Sequence, residues 1–364
     1  MMVVSKQYQI FFDFLRFCIG SESEIPSSLK EADWEELYAI AKKQCLVGVL
    51  FDGIKKLPAE QVGMKMGLLF QWIAKNRMLE KANVRLNDAA IQVSEWFRKK
   101  GFRTCILKGQ GNALMYPNPY SRTPGDIDIW VEGVDKRVIS FVRSISPHEK
   151  ACYHHIEFPP YKGVEVEVHY RPNFLLCFWH NRKLQKYYER VKEEQFSHRV
   201  MLGGQGEIAI PTVEFNLIFQ LTHIFSHLMN EGIGLRQLLD YYYVLISDDL
   251  LLISDRVQKE LKELGLWKFA GGIMYIMQEV FGMPASRLIV PPNEKCGKFV
   301  LNEVLEAGNF GKHDARNRFG KSQLGHNLQR VYRDIRLVRY FPAEALCEPL
   351  FRLWHFFWRV KNKK

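Results

Sequence analysis

Two aspartates, Asp126 and Asp128, stand two residues apart in an apolar, β-branched stretch of the chain. Side chains alternate between the two faces of a strand, so both carboxylates lie on one face while Ile127, Ile129 and Val131 lie on the other. Adjacent carboxylates repel each other unless a positive charge holds them together, and oxygen ligands of this kind suit Mg²⁺. The pair therefore predicts a metal-bearing strand that serves phosphate chemistry.

The chain around the aspartates supplies two further pieces in a fixed order. A predicted strand over residues 102–107 ends shortly before Gly109, ahead of the aspartates. After them, the alternating stretch 163–170 predicts a half-buried strand that carries Glu165 and Glu167 on one face. The order predicts a third carboxylate beside the aspartates, and alternation alone leaves both glutamates open.

Taken together, these stretches resemble a bacterial family described only as uncharacterised nucleotidyltransferases, within the DNA polymerase beta-like nucleotidyltransferase superfamily. The resemblance covers about residues 30 to 260, and it is carried by the set of motifs rather than by any one of them. The motifs run in this order: Leu107-Lys108-Gly109, Tyr116-Pro117, Arg122, Gly125-Asp126-Ile127-Asp128, Val166-Glu167-Val168-His169-Tyr170, Leu221-Thr222-His223 and Leu238-Leu239-Asp240.

The resemblance implies an α+β fold, in which a small mixed sheet with helices is flanked by N-terminal and C-terminal helical regions. It implies a metal-dependent nucleotidyltransferase that moves a nucleoside monophosphate from an NTP, by default ATP, to an unidentified acceptor and releases pyrophosphate. Asp126, Asp128 and Glu167 would be the catalytic acids and the ligands of Mg²⁺ or Mn²⁺. Gly109 would let the backbone approach the triphosphate.

Three polar side chains near these motifs are candidates for binding the nucleotide. Lys108 ends the first strand, where a phosphate contact and an ordinary surface lysine are both open. Gln110 lies in a predicted turn over residues 108–111 and stands where the superfamily commonly has a serine or glycine. Arg122 lies four residues before Asp126 and either neutralises phosphate or pairs with a nearby acid.

Several histidines have both a functional and a structural interpretation. His169 either touches the substrate or orients the third acid, although histidines at strand ends are more often structural. His154 and His155 either meet the acceptor or lie exposed on a loop. His223 and His227 are four residues apart on one helix face, but without an HExxH motif or an evident third ligand they favour helix packing over metal binding.

The elements around these motifs divide the chain into three predicted parts. Residues 1–100 form an N-terminal helical region, with Asp33 capping one helix and a long helix that ends in cations before Gly101. Residues 101–211 form the α/β core. Residues 212–364 form a C-terminal helical domain with a basic tail.

Composition predicts a folded chain without a membrane span. The chain has 364 residues, of which 47% are hydrophobic and 25% charged, and it has no run of eighteen apolar residues. The N-terminus lacks a secretory signal pattern, and the seven scattered cysteines form no CxxC pair, which argues against a disulfide framework and a zinc site. These features predict a reducing, cytoplasmic location.

The net charge is +11, and residues 310–364 contribute much of it, with thirteen Lys and Arg against four Asp and Glu. A predicted helix over residues 324–341 has an arginine at every third residue: Arg330, Arg333, Arg336 and Arg339. This segment is a candidate nucleic-acid surface. A solvated helix with some paired arginines fits the sequence at least as well. The aromatic tail over 349–360 is expected to dock against its own domain rather than on a membrane.

Two other function classes fit parts of the sequence. The basic C-terminal segment suggests a non-catalytic nucleotide- or RNA-binding protein on the same fold. A helical scaffold for protein interaction would leave the acids merely exposed. The complete set of three acids favours the enzyme, because a protein that only binds has little reason to keep acids that are costly to bury.

Overall fold

Helices form most of the part of the chain that the structure, a computed structural model, describes, namely residues 5–316, 319 and 323–362. This part has fourteen α-helices: α1 (Lys6–Ile19), α2 (Trp34–Lys43), α3 (Val47–Ile54), α4 (Met66–Lys99), α5 (Gln110–Ala113), α6 (Asp135–Ile145), α7 (Phe178–Ser197), α8 (Val213–Asn230), α9 (Leu235–Leu245), α10 (Leu250–Glu263), α11 (Trp267–Phe281), α12 (Glu294–Ala307), α13 (Gln323–Leu337) and α14 (Pro342–Lys361). It also has six strands: β1 (Thr104–Ile106), β2 (Ile127–Val131), β3 (His155–Tyr161), β4 (Val164–His169), β5 (Arg199–Leu202) and β6 (Gly206–Ala209). The predicted α+β fold is confirmed.

Four of the strands form a small mixed sheet in the order β1-β2-β4-β3. The central pair, β2 and β4, is parallel, while β1 and β3 are antiparallel to their neighbours. In the register of the parallel pair, Asp128 lies opposite Glu167 and Trp130 lies opposite His169. The pairing of β2 with β4 therefore sets the second predicted acid beside the third.

The apolar face of the sheet packs against α4 and α6. Ile127, Ile129 and Val131 belong to one hydrophobic cluster with Val93 from α4 and Val138 from α6. Because side chains alternate along β2, this packing turns the acidic face of the sheet the other way, toward α8 and α9.

The predicted helix signals in the N-terminal region are confirmed. Asp33 caps α2, since its carboxylate accepts hydrogen bonds from the backbone N–H groups of Glu35 (2.9 Å) and Glu36 (3.2 Å). The long helix α4 ends at Lys99, and Gly101 follows with a φ of +81°, a conformation that glycine adopts without steric cost.

Two local predictions near the sheet are wrong. Gln110 belongs to helix α5 rather than to a turn. The pair His154 and His155 is not exposed on a loop: His155 begins β3, where the pairing with β4 sets it opposite His169, and His154 is the half-buried residue before it. The side chain of His155 is only 14% exposed.

The helices before and after the sheet share one hydrophobic cluster, which joins α1 to α3 with α8 to α12. The predicted boundaries at residues 100 and 211 fall between α4 and β1 and between β6 and α8, and the division into three domains stays a prediction. None of the helices among the described residues is both long enough and apolar enough to cross a membrane.

Candidate functional site

The three acids singled out by the sequence meet on one face of the sheet. Asp128 on β2 lies opposite Glu167 on β4, and Asp126 stands one residue before β2 begins. Each offers one carboxylate oxygen, and these oxygens all lie within 4.8 Å of one another. Metal binding and catalysis by the three acids stay predictions, but the acids form the compact oxygen donor set that a hard divalent cation prefers.

Two basic side chains hold the Asp128 carboxylate, which is only 2% exposed. The Nζ atom of Lys108 lies 3.0 Å from Oδ2, and Nε2 of His169 lies 3.0 Å from Oδ1. His169 also lies 3.4 Å from Oε2 of Glu167. Burial would raise the pKa of Asp128, but Lys108 and His169 outweigh burial and hold this pKa well below its ordinary value.

The charges on His169 and Asp126 follow from the same neighbours. Burial would lower the pKa of His169, but its hydrogen bonds to Asp128 and Glu167 raise the pKa to about 9, so the imidazole is cationic. The nearby Asp128 carboxylate, and then burial, raise the pKa of Asp126 to about 6. Asp126 thus carries the part of the acidic charge that remains unbalanced, and a divalent cation among the three acids would relieve it.

The loop between β1 and α5 approaches the acids with its backbone. Gly109 has a φ of +61° and a ψ of −108°, a combination that favours glycine. A Cβ atom there would lie 3.6 Å from the backbone oxygen of Asp126, so the two backbones are close. The Gln110 side chain instead donates to Oδ1 of Asn87 on α4, and a contact between Gln110 and a nucleotide stays a prediction.

Arg122 pairs with an acid from the C-terminal helices. Its Nε and Nη2 atoms donate to Oδ1 and Oδ2 of Asp240 on α9, both at 2.8 Å, and Tyr116 donates to the same Oδ1 at 2.7 Å. All three residues are buried, with Arg122 4% exposed. Of the two interpretations of Arg122, the structure shows the pairing, and its contact with a nucleotide stays a prediction.

A cleft lies between the acids and the C-terminal helices. Its first side, which we name the sheet wall, consists of Lys108, Gly109, Asp126 and Asp128. Its second side, which we name the helical wall, includes the following residues of α8, α9 and the segment after α12: Gln220, His223, Arg236, Asp240 and Phe310.

Arg236 on the helical wall is a candidate that the sequence analysis missed. Its side chain is buried, its Nη1 donates to the backbone oxygen of Thr123 at 3.0 Å, and its Nε has no hydrogen-bond partner among the described residues. Burial, and then the charge of Arg122, lower the pKa of Arg236. The sequence signal for Arg236 is its place, with Asp240, in the largely apolar stretch 235–245, since charged residues are seldom buried without a partner.

Two histidines of α8 form a chain of contacts that begins at Lys108. Nε2 of His223 lies 2.8 Å from Nζ of Lys108, and since an ammonium can only donate, the imidazole accepts. His227 lies one turn further along α8, with its Nε2 3.0 Å from Nε2 of His223. Burial, and then the charge of Lys108, lower the pKa of both histidines, that of His227 to about 3. His223 and His227 were predicted to serve helix packing, and His223 in addition contacts Lys108 of the site.

One further group with metal-binding residue types lies away from the cleft. Cys177, His180 and Glu344 each place a ligand atom within 4.8 Å of the others. Glu344, however, already accepts from the backbone N–H groups of Leu176 (2.6 Å) and Cys177 (3.0 Å) at the start of α7, and Nδ1 of His180 lies 3.1 Å from it. Its contacts are those of a helix cap supplied by α14.

The basic C-terminal helix is less open than its sequence suggests. Arg333 is buried and donates to the backbone oxygen of Glu231 at 3.0 Å, and Arg336 lies 3.6 Å from Glu303. Arg330 and Arg339 are exposed. Half of the arginine series is therefore occupied by the protein itself, and nucleic-acid binding by this segment stays a prediction.

The aromatic tail docks in part against the rest of the chain. Phe351 of α14 is buried and stacks on Phe174, with ring centroids 5.0 Å apart, and Trp354 meets the ring of Tyr153 at 5.3 Å. Trp358 is half-buried against the cluster on the apolar face of the sheet. Six further large apolar residues of this helix are exposed: Leu346, Leu350, Leu353, Phe356, Phe357 and Val360.

A family model described as "Uncharacterised nucleotidyltransferase" matches residues 30–282. No curated protein matches the chain. Among solved structures, an antigenic nucleotidyltransferase-like protein from Paracoccidioides brasiliensis is 16% identical, and the match covers 50% of this chain and 92% of that one with a TM-score of 0.28.

Proposed function

The chain belongs to a family of nucleotidyltransferases described only as uncharacterised, and from this premise we propose that it moves a nucleoside monophosphate from an NTP to an acceptor. The reaction would release pyrophosphate and depend on Mg²⁺ or Mn²⁺. Family membership supports a nucleotidyltransferase role in general, whereas the metal, the donor and the acceptor belong to this proposal. ATP is the default donor.

The meeting of Asp126, Asp128 and Glu167 is the observation that carries the proposal. These acids come from two parallel strands and a preceding turn, and their oxygens gather within 4.8 Å. The Asp128 carboxylate, and then burial, raise the pKa of Asp126 to about 6, so a cation bound beside Asp126 would be favoured. The donor set consists of carboxylate oxygens, which fits Mg²⁺ or Mn²⁺ better than a soft metal.

Divalent ions bound by these acids would lower the pKa of an acceptor hydroxyl and neutralise charge on the triphosphate and on the leaving pyrophosphate. The protein contributes positioning, which is most of what phosphoryl-type transfer needs from it. His169 fixes the orientation of Asp128 and Glu167 through one nitrogen. Gly109 lets the phosphate chain come close to the backbone beside Asp126.

A turnover assay tests the proposal with substitutions of two proposed metal ligands and with a matched control on β4. Each α-labelled NTP is supplied with Mg²⁺ or Mn²⁺ and with a panel of alcohols, antibiotics, sugars, proteins and RNA ends, and labelled product and pyrophosphate are followed. Asp128→Asn and Glu167→Gln are expected to lower turnover about 1,000-fold, because they remove several kcal/mol of charge stabilisation. Glu165→Gln, two residues from Glu167 and exposed, is the control and keeps wild-type turnover.

Circular dichroism of each variant checks that the fold is retained. Wild-type turnover in a folded Asp128→Asn variant would reject the proposal. Nucleotide binding by the wild type without turnover of any donor would instead favour the alternative of a non-catalytic nucleotide- or RNA-binding protein.

A further inference from the structure

We propose that Arg236 is the binding residue for the phosphate chain of the donor, so that the C-terminal helices, and not only the sheet, form the triphosphate site. This inference rests on the proposed function, since it names the ligand of the second side of the same cleft. The ligand class is a linear polyphosphate, carried by the nucleotide or released as pyrophosphate.

The first argument is that Arg236 is a buried cation that forms no ion pair with any described residue. Its side chain is 7% exposed, and among the described residues no carboxylate oxygen lies within 4.0 Å of its guanidinium. Within the described part of the chain, the hydrogen bond that Arg236 donates goes to the neutral backbone oxygen of Thr123. A buried charge is costly to leave unpaired, so the position indicates that an anion binds there.

The second argument comes from Asp240, one turn further along α9. Asp240 is the natural partner of Arg236 in a helix, because residues four apart lie on the same face. Both of its oxygens are engaged by Arg122, and Oδ1 also accepts from Tyr116. Arg122 thus takes the carboxylate of Asp240, and Nε of Arg236 is left without a hydrogen-bond partner among the described residues.

The third argument is the position of Arg236 in the cleft. It lines the same cleft as Lys108, Asp126 and Asp128. A Cβ atom on Gly125 would lie 3.8 Å from Nη1 of Arg236, so the guanidinium reaches the residue directly before Asp126. A phosphate chain that extends from the acids across the cleft would therefore meet Arg236.

The setting of the side chain also fits a fixed binding residue. The guanidinium lies 5.6 Å from the ring centroid of Phe310, a cation–π distance that restrains the plane of the fork. Phe310 itself has a φ of +55°, which is uncommon for a residue with a side chain. A planar guanidinium with several free N–H groups suits bidentate contacts to phosphate oxygens.

Binding of inorganic tripolyphosphate in the presence of Mg²⁺ tests the inference without requiring turnover. Isothermal titration calorimetry compares the wild type with Arg236→Gln, which is expected to bind about 10- to 100-fold more weakly because it loses charge-assisted hydrogen bonds. Arg182→Gln removes the same charge from the exposed face of α7 and is expected to bind like the wild type. This control separates the cleft from general attraction to a basic chain.

A second variant keeps the test valid if Arg236→Gln does not fold. Arg236→Lys retains a positive charge but loses the fork, so we expect tripolyphosphate binding about threefold or more weaker than that of the wild type. Wild-type affinity in any folded Arg236 variant, or an equal loss in Arg182→Gln, would overturn the inference. Turnover lost in Asp128→Asn but tripolyphosphate binding unchanged in Arg236→Gln would reject this inference alone.

Failure of the proposed function has a different signature. In that case turnover of the NTP does not depend on Asp128 or Glu167, whether or not tripolyphosphate binds to the protein. Where both ideas hold, Arg236→Gln raises the KM for the NTP more than it lowers kcat, whereas Asp128→Asn lowers kcat.

Discussion

The two walls of the cleft balance their charges in different ways. On the sheet wall, Lys108 and His169 compensate most of the acidic charge, and Asp126 remains as an excess anion. On the helical wall, Asp240 is paired with Arg122 from the segment before β2, and Arg236 remains as an excess cation. Paired charges stabilise the fold. The two unpaired charges, those of Asp126 and Arg236, indicate where ligands of opposite charge bind. The excess anion fits a metal ion and the excess cation fits a phosphate.

The largest effect on stability is expected from breaking the balanced pair of the helical wall. Asp240→Asn leaves the Arg122 guanidinium buried without its counter-charge, which lowers the free energy of unfolding by about 3–5 kcal/mol. Urea unfolding followed by circular dichroism measures the loss. A change below about 1 kcal/mol would show that the Arg122–Asp240 pair does not stabilise the fold.

The next effect, on kcat, is expected from substituting His169, which helps to balance the charge of Asp128 and Glu167. His169→Gln weakens the hold on Asp128 and Glu167, and we expect it to lower kcat about 10- to 100-fold, the usual range for residues that orient metal ligands. His155→Gln is the matched control, because Nδ1 of His155 lies 3.7 Å from Glu167 and, among the described residues, no hydrogen bond or ion pair joins His155 to Asp128. Equal losses in the two variants would contradict a specific role for His169.

A smaller effect is expected when the unbalanced charge of the helical wall is removed. Without added ligand, Arg236→Gln is expected to change the free energy of unfolding by about 1 kcal/mol or less, since no carboxylate among the described residues loses its partner. The measurement repeats the urea unfolding used for Asp240→Asn. A loss as large as that of Asp240→Asn would mean that Arg236 holds the fold like Arg122, and the contrast between the two arginines would fail.

An effect of similarly small size is expected at an acid pair outside the cleft, between α13 and α14. Burial, and then Glu348, raise the pKa of Asp334 to about 7. Because this folded-state pKa lies above the ordinary value, the native state takes up a proton, and the contribution of Asp334 to stability is lost as pH rises from about 4 to about 7. When the pH is raised from 4.5 to 8, the free energy of unfolding of Asp334→Asn is expected to increase by about 1 kcal/mol relative to that of the wild type, a value that allows for solvent screening.

Urea unfolding at the two pH values measures this gain. Asp255→Asn, at an exposed position of α10, is the control and shows no such difference. An unchanged gap between wild type and Asp334→Asn at both pH values would contradict the raised pKa.

The sequence reveals the sheet wall better than the helical wall, and the reason is physical. Alternation along a strand places Asp126 and Asp128 on one face before any tertiary contact is known. The candidate Glu167 needed the resemblance, because the register of the parallel pair is set by packing of the whole sheet. Arg236 reaches the cleft only because α9 packs opposite the sheet, and spacing along the chain does not report that.

The missed strand β3 shows another limit of local patterns. Its sequence contains Pro159 and Pro160, and proline lacks the N–H group that a strand interior donates. β3 lies at the edge of the sheet, where proline is tolerated, and its register with β4 has an irregularity between Phe158 and Tyr161. The position of His155 in a strand could therefore not be predicted from the local sequence.

Direct binding of Mn²⁺, followed by electron paramagnetic resonance, tests the central claim about the three acids without any knowledge of the acceptor. We expect the wild type and Glu165→Gln to bind Mn²⁺ that Mg²⁺ displaces, and Asp128→Asn and Glu167→Gln to lose this binding. Mn²⁺ binding of wild-type strength in Asp128→Asn, or none in the wild type at millimolar Mn²⁺, would contradict the account.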